Sequence, residues 1–385
     1  MLFRNVFYWL LITLVFSACK TAQTPYKKEG IVDKISSLKV LDIYEVPYNL
    51  EYKNTTIGGL SGIDYNKEAD EYYLISDDRS NINPARFYTA KIKLKDSKID
   101  SVIWIDVQNL KQPNGALFPN YNKEAKNTTD PESIRYDLLN KRLVWTSEGE
   151  RRVSDKDTVL VNPSINIMDK TGKWIDTFSL PPNLWMSANA KGPRTNGVIE
   201  GMSFSELYKK LFVSIEEPLH EDGPRVETFP QNTWLRFFGF NVATKQNTEQ
   251  YAYKPETIDY PANPLNAFKV NGISEILNIG NFKFIVIERA YSTGRQKCTV
   301  KLFLADARGA SNVKDISALA VDTSFVPITK KLLLNMDDMP NFIDNVEGIT
   351  LGPILPNGHQ SIILVVDNNF SPLEKTQFFL LEIIP

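Results

Sequence analysis

The sequence predicts an all-β fold, a closed β-propeller of five to six blades. Three observations predict it: a motif recurring five times at near-constant spacing, short strand-like apolar runs that end each copy, and strand-like segments at both ends of the domain. The copies are GLSGIDYN with YYLISDD, DPESIRYD with LVWTSEGE, IEGMSFSE with LFVSIEE, GISEILNI with FIVIER, and VEGITLGP with IILVVDNN. Their anchor residues, Ile63, Ile134, Met202, Ile276 and Ile349, follow one another at 71, 68, 74 and 73 residues. Such a period is too long for a solenoid coil. It suits a four-stranded blade with long loops, because common blades run about 40–50 residues and longer loops cost little.

In chain order, the opening MLFRNVFYWLLITLVFSACK carries one cation ahead of its apolar stretch, Arg4, then the apolar stretch from Val6 to Phe16, and the small pair Ser17-Ala18 before Cys19. This reads as a lipoprotein signal peptide over residues 1–18, with the apolar stretch well short of the ~20 residues that span a bilayer. Cys19 is then the lipidated first residue, residues 19–35 a tether, and 36–385 a single propeller domain. The expected location is the bacterial cell envelope, with the membrane touched only through the Cys19 lipid. Cys298 is the one other cysteine, so no disulfide can form within the mature chain and a buried core must stabilise it.

Val40–Val46 and Phe378–Ile384 read as strands whose pairing would close the ring and remove exposed sheet edges. The runs Tyr72–Ser76, Leu143–Ser147, Leu211–Ile215, Phe284–Ile287 and Ile362–Val366 are β-branched, aromatic and too short for helices, so they read as buried inner strands. A sixth, degenerate blade has room in Asp222–Ala267 or Asn312–Pro340.

The 44 basic and 46 acidic residues give a formal net charge of -2, which excludes nucleic-acid binding through bulk electrostatics. A monomer acting on a small molecule is expected. Two histidines, His220 and His359, stand in unrelated contexts, against histidine-built zinc sites and histidine-based phosphoryl transfer. A nucleophile elbow, a P-loop, a dinucleotide fingerprint and a C-x-x-C pair are all missing.

The acids recur in two registers. Two residues before the anchors stand Ser61, Glu132, Glu200, Ser274 and Glu347. At the strand ends stand Asp77, Glu148, Glu216, Glu288 and Asp367, lying 14, 14, 14, 12 and 18 residues after the anchors. Around one axis Glu132, Glu148, Glu200, Glu216, Glu288, Glu347 and Asp367 converge at a channel mouth. A buried carboxylate needs a partner, and oxygen-only donors suit a hard cation such as calcium, with Glu132, Glu148, Glu288, Glu347 and Asp367 as its ligands. The bland alternative is that each acid caps amides or pairs with an arginine of its own blade. Arginines follow the acids closely. Arg79, Arg86, Arg289 and Arg295 suit an oxyanion, since guanidinium offers a planar bidentate fork, whereas Arg151, Arg152 and Arg225 read equally well as balancing surface charges.

GLSGIDY, YYLISDD with PARFYTAKI, DPESIRY, TSEGE, VIEGMSF, VSIEE, VIER and VEGIT together resemble the phytase-like family, described as esterase-like activity of phytase, from about Gly58 to the C-terminus. The resemblance implies a propeller, an exported chain, and hydrolysis of phosphoesters or esters. Its likeness to calcium-dependent propeller phytases is one of architecture and acidic site. Three functions follow as expectations. The first is a calcium-dependent phosphoesterase with Glu200, Glu216 and Arg289 as catalytic residues and Arg79, Arg86 and Arg295 binding substrate. The second is a sugar-lactone or carboxyl-ester hydrolase drawing on Glu200, Asp367 and Asn368. The third is a non-catalytic binding propeller at the cell surface.

Overall fold

A computed structural model describes residues 34–385; the signal-peptide and Cys19 readings lie outside the described residues. Among the described residues, five four-stranded antiparallel sheets form the blades. Blade 1 runs from the axis outward through Leu60–Asn66, Glu71–Ser76, Arg86–Lys95 and Lys98–Asn109. Blade 2 uses Pro131–Asp137, Arg142–Ser147, Ser164–Met168 and Trp174–Thr177, with a hairpin, Glu150–Val153 and Thr158–Val161, inserted after its second strand. Blade 3 is Ile199–Phe204, Lys210–Ile215, Leu235–Asn241 and Asn247–Tyr253; blade 4 is Lys269–Asn278, Lys283–Ser292, Thr299–Asp306 and Thr329–Asn335.

Blade 5 takes Asn345–Ile354, Gln360–Asp367 and Gln377–Ile384 from the end of the chain and its outermost strand, Ser37–Glu45, from the start. Ser37 pairs with Ile384 and Glu45 with Gln377, so the ends close the ring. Of the five to six blades, the described residues form five. Asp222–Ala267 supplies the outer strands of blade 3, and Asn312–Pro340 the outermost strand of blade 4. No helix among the described residues is long and apolar enough to cross a membrane.

The apolar runs are continuous because each second strand serves two cores. In Gln360–Asp367, Ile362, Leu364 and Val366 pack toward blade 4 while Ile363 and Val365 pack toward blade 1. In blade 1, Leu74 faces blade 5 and Tyr73 and Ile75 face blade 2. Alternate side chains leave opposite faces of a strand, so burial on both faces removes the polar alternation. The outermost strands keep one face in solvent, which is why Thr329–Asn335 carries no such run.

Every innermost strand contains one extra residue. The register slips between Leu60 and Gly62, Pro131 and Ile134, Ile199 and Gly201, Ile273 and Glu275, and Val346 and Gly348. A β-bulge leaves the extra residue unpaired and re-aims its side chain. These bulges fall on the recurrent position two before each anchor: Ser61, Glu132 with Ser133, Glu200, Ser274 and Glu347. The two serines are structural, Ser61 donating to the carbonyl of Glu132 at 2.7 Å and Ser274 to that of Val346 at 2.8 Å, each in the next blade.

Below the bulges the channel is plugged. Arg135 and Glu275 form a buried ion pair at 2.7 Å, and Arg135 also donates to the carbonyls of Ile63, Ile134, Met202 and Ile276, tying blades 1 to 4 together. Glu275 accepts from the Met202 amide at 2.6 Å and from the Ser133 hydroxyl at 2.8 Å.

A candidate metal centre at one channel mouth

Two registers meet above the plug. The bulges deliver Glu132, Glu200 and Glu347. The second strands deliver the residues that come one after the partners of the last regular pair before each bulge: Asp77 after Ser76, Glu148 after Ser147, Glu216 after Ile215, Arg289 after Glu288, and Asp367 after Val366. The placement repeats from blade to blade. The amides of Asp77, Glu148 and Glu216 donate to the carbonyls of Gly59, Asp130 and Val198, each just ahead of its innermost strand, at 2.8, 3.0 and 2.9 Å.

All these acids except the half-buried Asp77 are buried. Carboxylate oxygens of Asp130, Glu132 and Glu148 lie within 4.8 Å of one another, a group able to hold a metal ion. Asp367 is fully buried, and neither of its oxygens takes a hydrogen bond of normal geometry, although the amides of Asn368 and Asn369 lie beside it; Glu347 also has an unpartnered oxygen, Oε2. Glu148 Oε1 is held by the amides of Gly197, at 2.7 Å, and Val198. Arg289 lies among the acids, donating to Glu216 at 2.5 Å and to Glu347 and Asn345.

Burial disfavours a charged carboxylate, and like charges add to the effect. Burial, then the charge of Asp130, pushes the Asp77 carboxyl up to about 8. Burial, partly opposed by Arg79 and reinforced by Glu148, pushes Asp130 up to about 8 as well. Glu347 rises to about 7 through burial despite Arg289, while Glu132 and Glu200, each buried and facing several carboxylates, go well above the usual range. Such a mouth holds either protons or cations.

Of the residues singled out from sequence, the mouth gathers Glu132, Glu148, Glu200, Glu216, Arg289, Glu347 and Asp367. Arg79 sits at its edge, 3.4 Å from Asp130 and 2.6 Å from Glu150, over the ring of Tyr121, with its Nε buried and unpartnered. Three assignments need correction. Glu288 is turned away from the mouth and receives Lys330 at 2.5 Å, the Tyr253 hydroxyl at 2.7 Å and the Glu256 amide at 2.8 Å, because it stands one residue before the position equivalent to Asp77, Glu148 and Glu216, on the opposite face. Arg86 is completely buried in its blade, on Asp78 at 2.7 Å and the Tyr88 hydroxyl at 2.6 Å, as an internal brace. Arg295 pairs with Asp337 at 3.3 Å and stacks over Tyr260, neither of which belongs to the acidic group. Arg225 pairs with Glu217 and Arg151 with carbonyls of Ser187, Ala188 and Asn189, as structural partners.

Sequence reasoning missed two acids. Asp77 was counted among the strand ends but left out of the ligand set, and Asp130 was passed over although it opens the DPESI motif two residues before Glu132. Its Asp-Pro step, placing a carboxylate where the chain enters the axis, was the available signal.

Among solved structures the chain is similar to an endo-arabinase from Bacteroides thetaiotaomicron, with 12% identity and a TM-score of 0.41 over 88% of this chain and 98% of that one. It is also similar to a GH43 β-1,3-galactosidase (10% identity, TM-score 0.46, 87% and 93% covered) and to an arabinanase from Bacillus subtilis (12%, 0.40, 84% and 94%). No curated protein matches it in sequence. The family model for phytase-like proteins, described as esterase-like activity of phytase, matches residues 55–370, and the chain belongs to that family.

Proposed function

We propose that the acidic mouth is the active site of a metal-dependent phosphoester hydrolase, with calcium as its cation. The observation that carries this reading is the convergence of eight buried or half-buried carboxylates from blades 1, 2, 3 and 5, with Asp367 and one oxygen of Glu347 left without partners. The donor set fits a hard cation, since it is all oxygen and includes neither histidine nor cysteine. Asp130, Glu132 and Glu148 would hold one ion, and Asp367 with Asp77 and Glu347 offers a further set of donors. A bound calcium ion supplies a Lewis acid for the phosphoryl oxygens and lowers the pKa of a ligated water.

The protein's own groups do the rest. Arg289, fixed between Glu216 and Glu347, and Arg79, with a free Nε at the rim, place positive charge where an anionic phosphoryl group must be oriented. Glu200 lies amid Glu148, Glu216, Glu347 and Arg289, and its raised affinity for a proton suits it to take one from water or return one to a leaving group. Support for export and lipid anchoring at the cell envelope comes from the apolar stretch and the Ser17-Ala18-Cys19 box; a monomer acting on a small-molecule ester is part of the same reading.

Metal content of the purified protein, measured together with phosphate release from a phosphomonoester and from phytate with added calcium and then chelator, tests it. The expected result is bound calcium and chelator-sensitive release that falls about 10²- to 10⁴-fold in Glu200→Gln. Chelator-resistant turnover, or turnover confined to lactones or carboxyl esters, overturns it. Bound calcium without turnover on any ester points instead to a binding propeller.

A further inference from the structure

The opposite end of the channel is hollow. Below the Arg135–Glu275 plug lies a cavity of about 890 Å³, within the roughly 300–1,000 Å³ range of small-molecule sites. It opens on the face where the described chain begins and ends, with Lys34 and Pro385 on its rim.

Its floor is selective in what it leaves unsatisfied. Arg135 has all its donors engaged, four carbonyls and Glu275, so it offers nothing to a ligand. Asn278, which lines the cavity, is only 8% exposed. Its Oδ1 accepts from the Gly280 amide at 3.0 Å, which fixes the orientation of the side-chain amide and leaves Nδ2 buried with no acceptor. A buried donor without a partner costs about 1–3 kcal/mol, so an acceptor belongs there. Beside it the Ser203 hydroxyl accepts from the Asn278 backbone amide at 2.8 Å, leaving its proton to be donated. Across the floor the half-buried Asp64 carboxylate accepts from the Tyr136 amide and the Thr350 hydroxyl and has lone pairs to spare. Phe204, packed on Tyr208 with ring centroids 5.2 Å apart, forms an apolar wall.

We propose that this cavity binds a neutral saccharide unit, independently of the acidic mouth. Sugar hydroxyls both accept, as Asn278 and Ser203 require, and donate to the spare lone pairs of Asp64. The C–H face of a pyranose suits the Phe204–Tyr208 wall. A ketone or ether on an apolar body would satisfy Asn278 and make no use of Asp64. An anionic ligand finds no uncommitted cation on the floor, and the rim carries both signs in Lys34, Lys67 and Glu206.

Ligand-observed NMR and calorimetry on the full protein test the assignment, with glucose, galactose, xylose, arabinose and their β-1,4 disaccharides as probes and glucuronate and glucose 6-phosphate as charged controls. At least one neutral sugar is expected to bind saturably. Its affinity should fall tenfold or more in Asn278→Leu and in the more conservative Ser203→Ala, and stay within twofold in Glu200→Gln and with chelator. The last condition separates this cavity from the proposed phosphoesterase site, since failure there leaves sugar binding untouched. Absence of binding by every neutral sugar, preference for the charged controls, or binding unchanged in a folded Ser203→Ala protein overturns it.

Discussion

Burial and neighbouring carboxylates push the Asp77 and Asp130 carboxyls up to about 8 and that of Glu347 up to about 7, against ordinary values of 3.8 and 4.5. The sign of the stability effect follows from proton counting. Between roughly pH 4 and 8 the native state binds more protons at these groups than the unfolded chain, so their contribution to stability is present in full at low pH and is lost as pH rises through 7 and 8. In chelator, the melting temperature is expected to be higher near pH 5 than near pH 8, and calcium added at pH 8 should restore it. A melting temperature that climbs from pH 5 to 8 in chelator would mean that other groups dominate the titration. Arg289 shows the limit of residue-level reading: it reaches the acids because it, and not Glu288, falls in register with Asp77, Glu148 and Glu216 beside the bulge of its blade.

Among the strands, the bulge is the device that turns a repeated motif into a site. It throws one residue per blade toward the axis, and it needs room. Gly62, Gly201 and Gly348 immediately follow bulge residues, and a Cβ on Gly201 would lie 2.9 Å from the Ile276 nitrogen of the next blade and 2.4 Å from the Ser214 hydroxyl. Gly201→Ala therefore forces two blades apart and should cost about 1–3 kcal/mol in urea unfolding, as overpacking does. Gly309→Ala, where a Cβ meets nothing within 4 Å, is the control and should change little. Equal stability of the two variants would show that the blades can slide outward freely. The glycine-serine flavour of the motif was legible as structural; that the residue beside it is a bulge was not, because an extra residue shows only against the strand it fails to pair with.

For the whole molecule, closure rests on Ser37–Glu45 covering Gln377–Ile384, which is buried over all but its last residue. Removing residues 1–45 uncovers an apolar edge, and exposed edges pair with other chains. That variant is expected to aggregate or elute as large species in size-exclusion chromatography with light scattering, whereas removal of residues 1–33 should leave a monomer. A monomeric 46–385 chain with native near-UV circular dichroism would show that the ring holds without its outermost strand.

The sequence by itself determined the period, a propeller of five to six blades, the closure through the two chain ends, and most of the acids, because two-sided burial imposes unbroken apolar runs and each copy repeats the same few residues at the axis; the structure decided that there are five. Only the tertiary structure decided which of those residues face one another. Facing depends on strand parity, where a single bulge or a hairpin one residue shorter exchanges Glu288 for Arg289. It depends equally on the ring, which brings residues some 70 positions apart within reach, joins Arg289 to Glu216 and Glu347, and sets Arg135 against Glu275. The cavity beneath that pair is lined by the residues that directly follow the five anchors, Asp64, Arg135, Ser203, Leu277 and Thr350, and only the closed ring turns them toward one space.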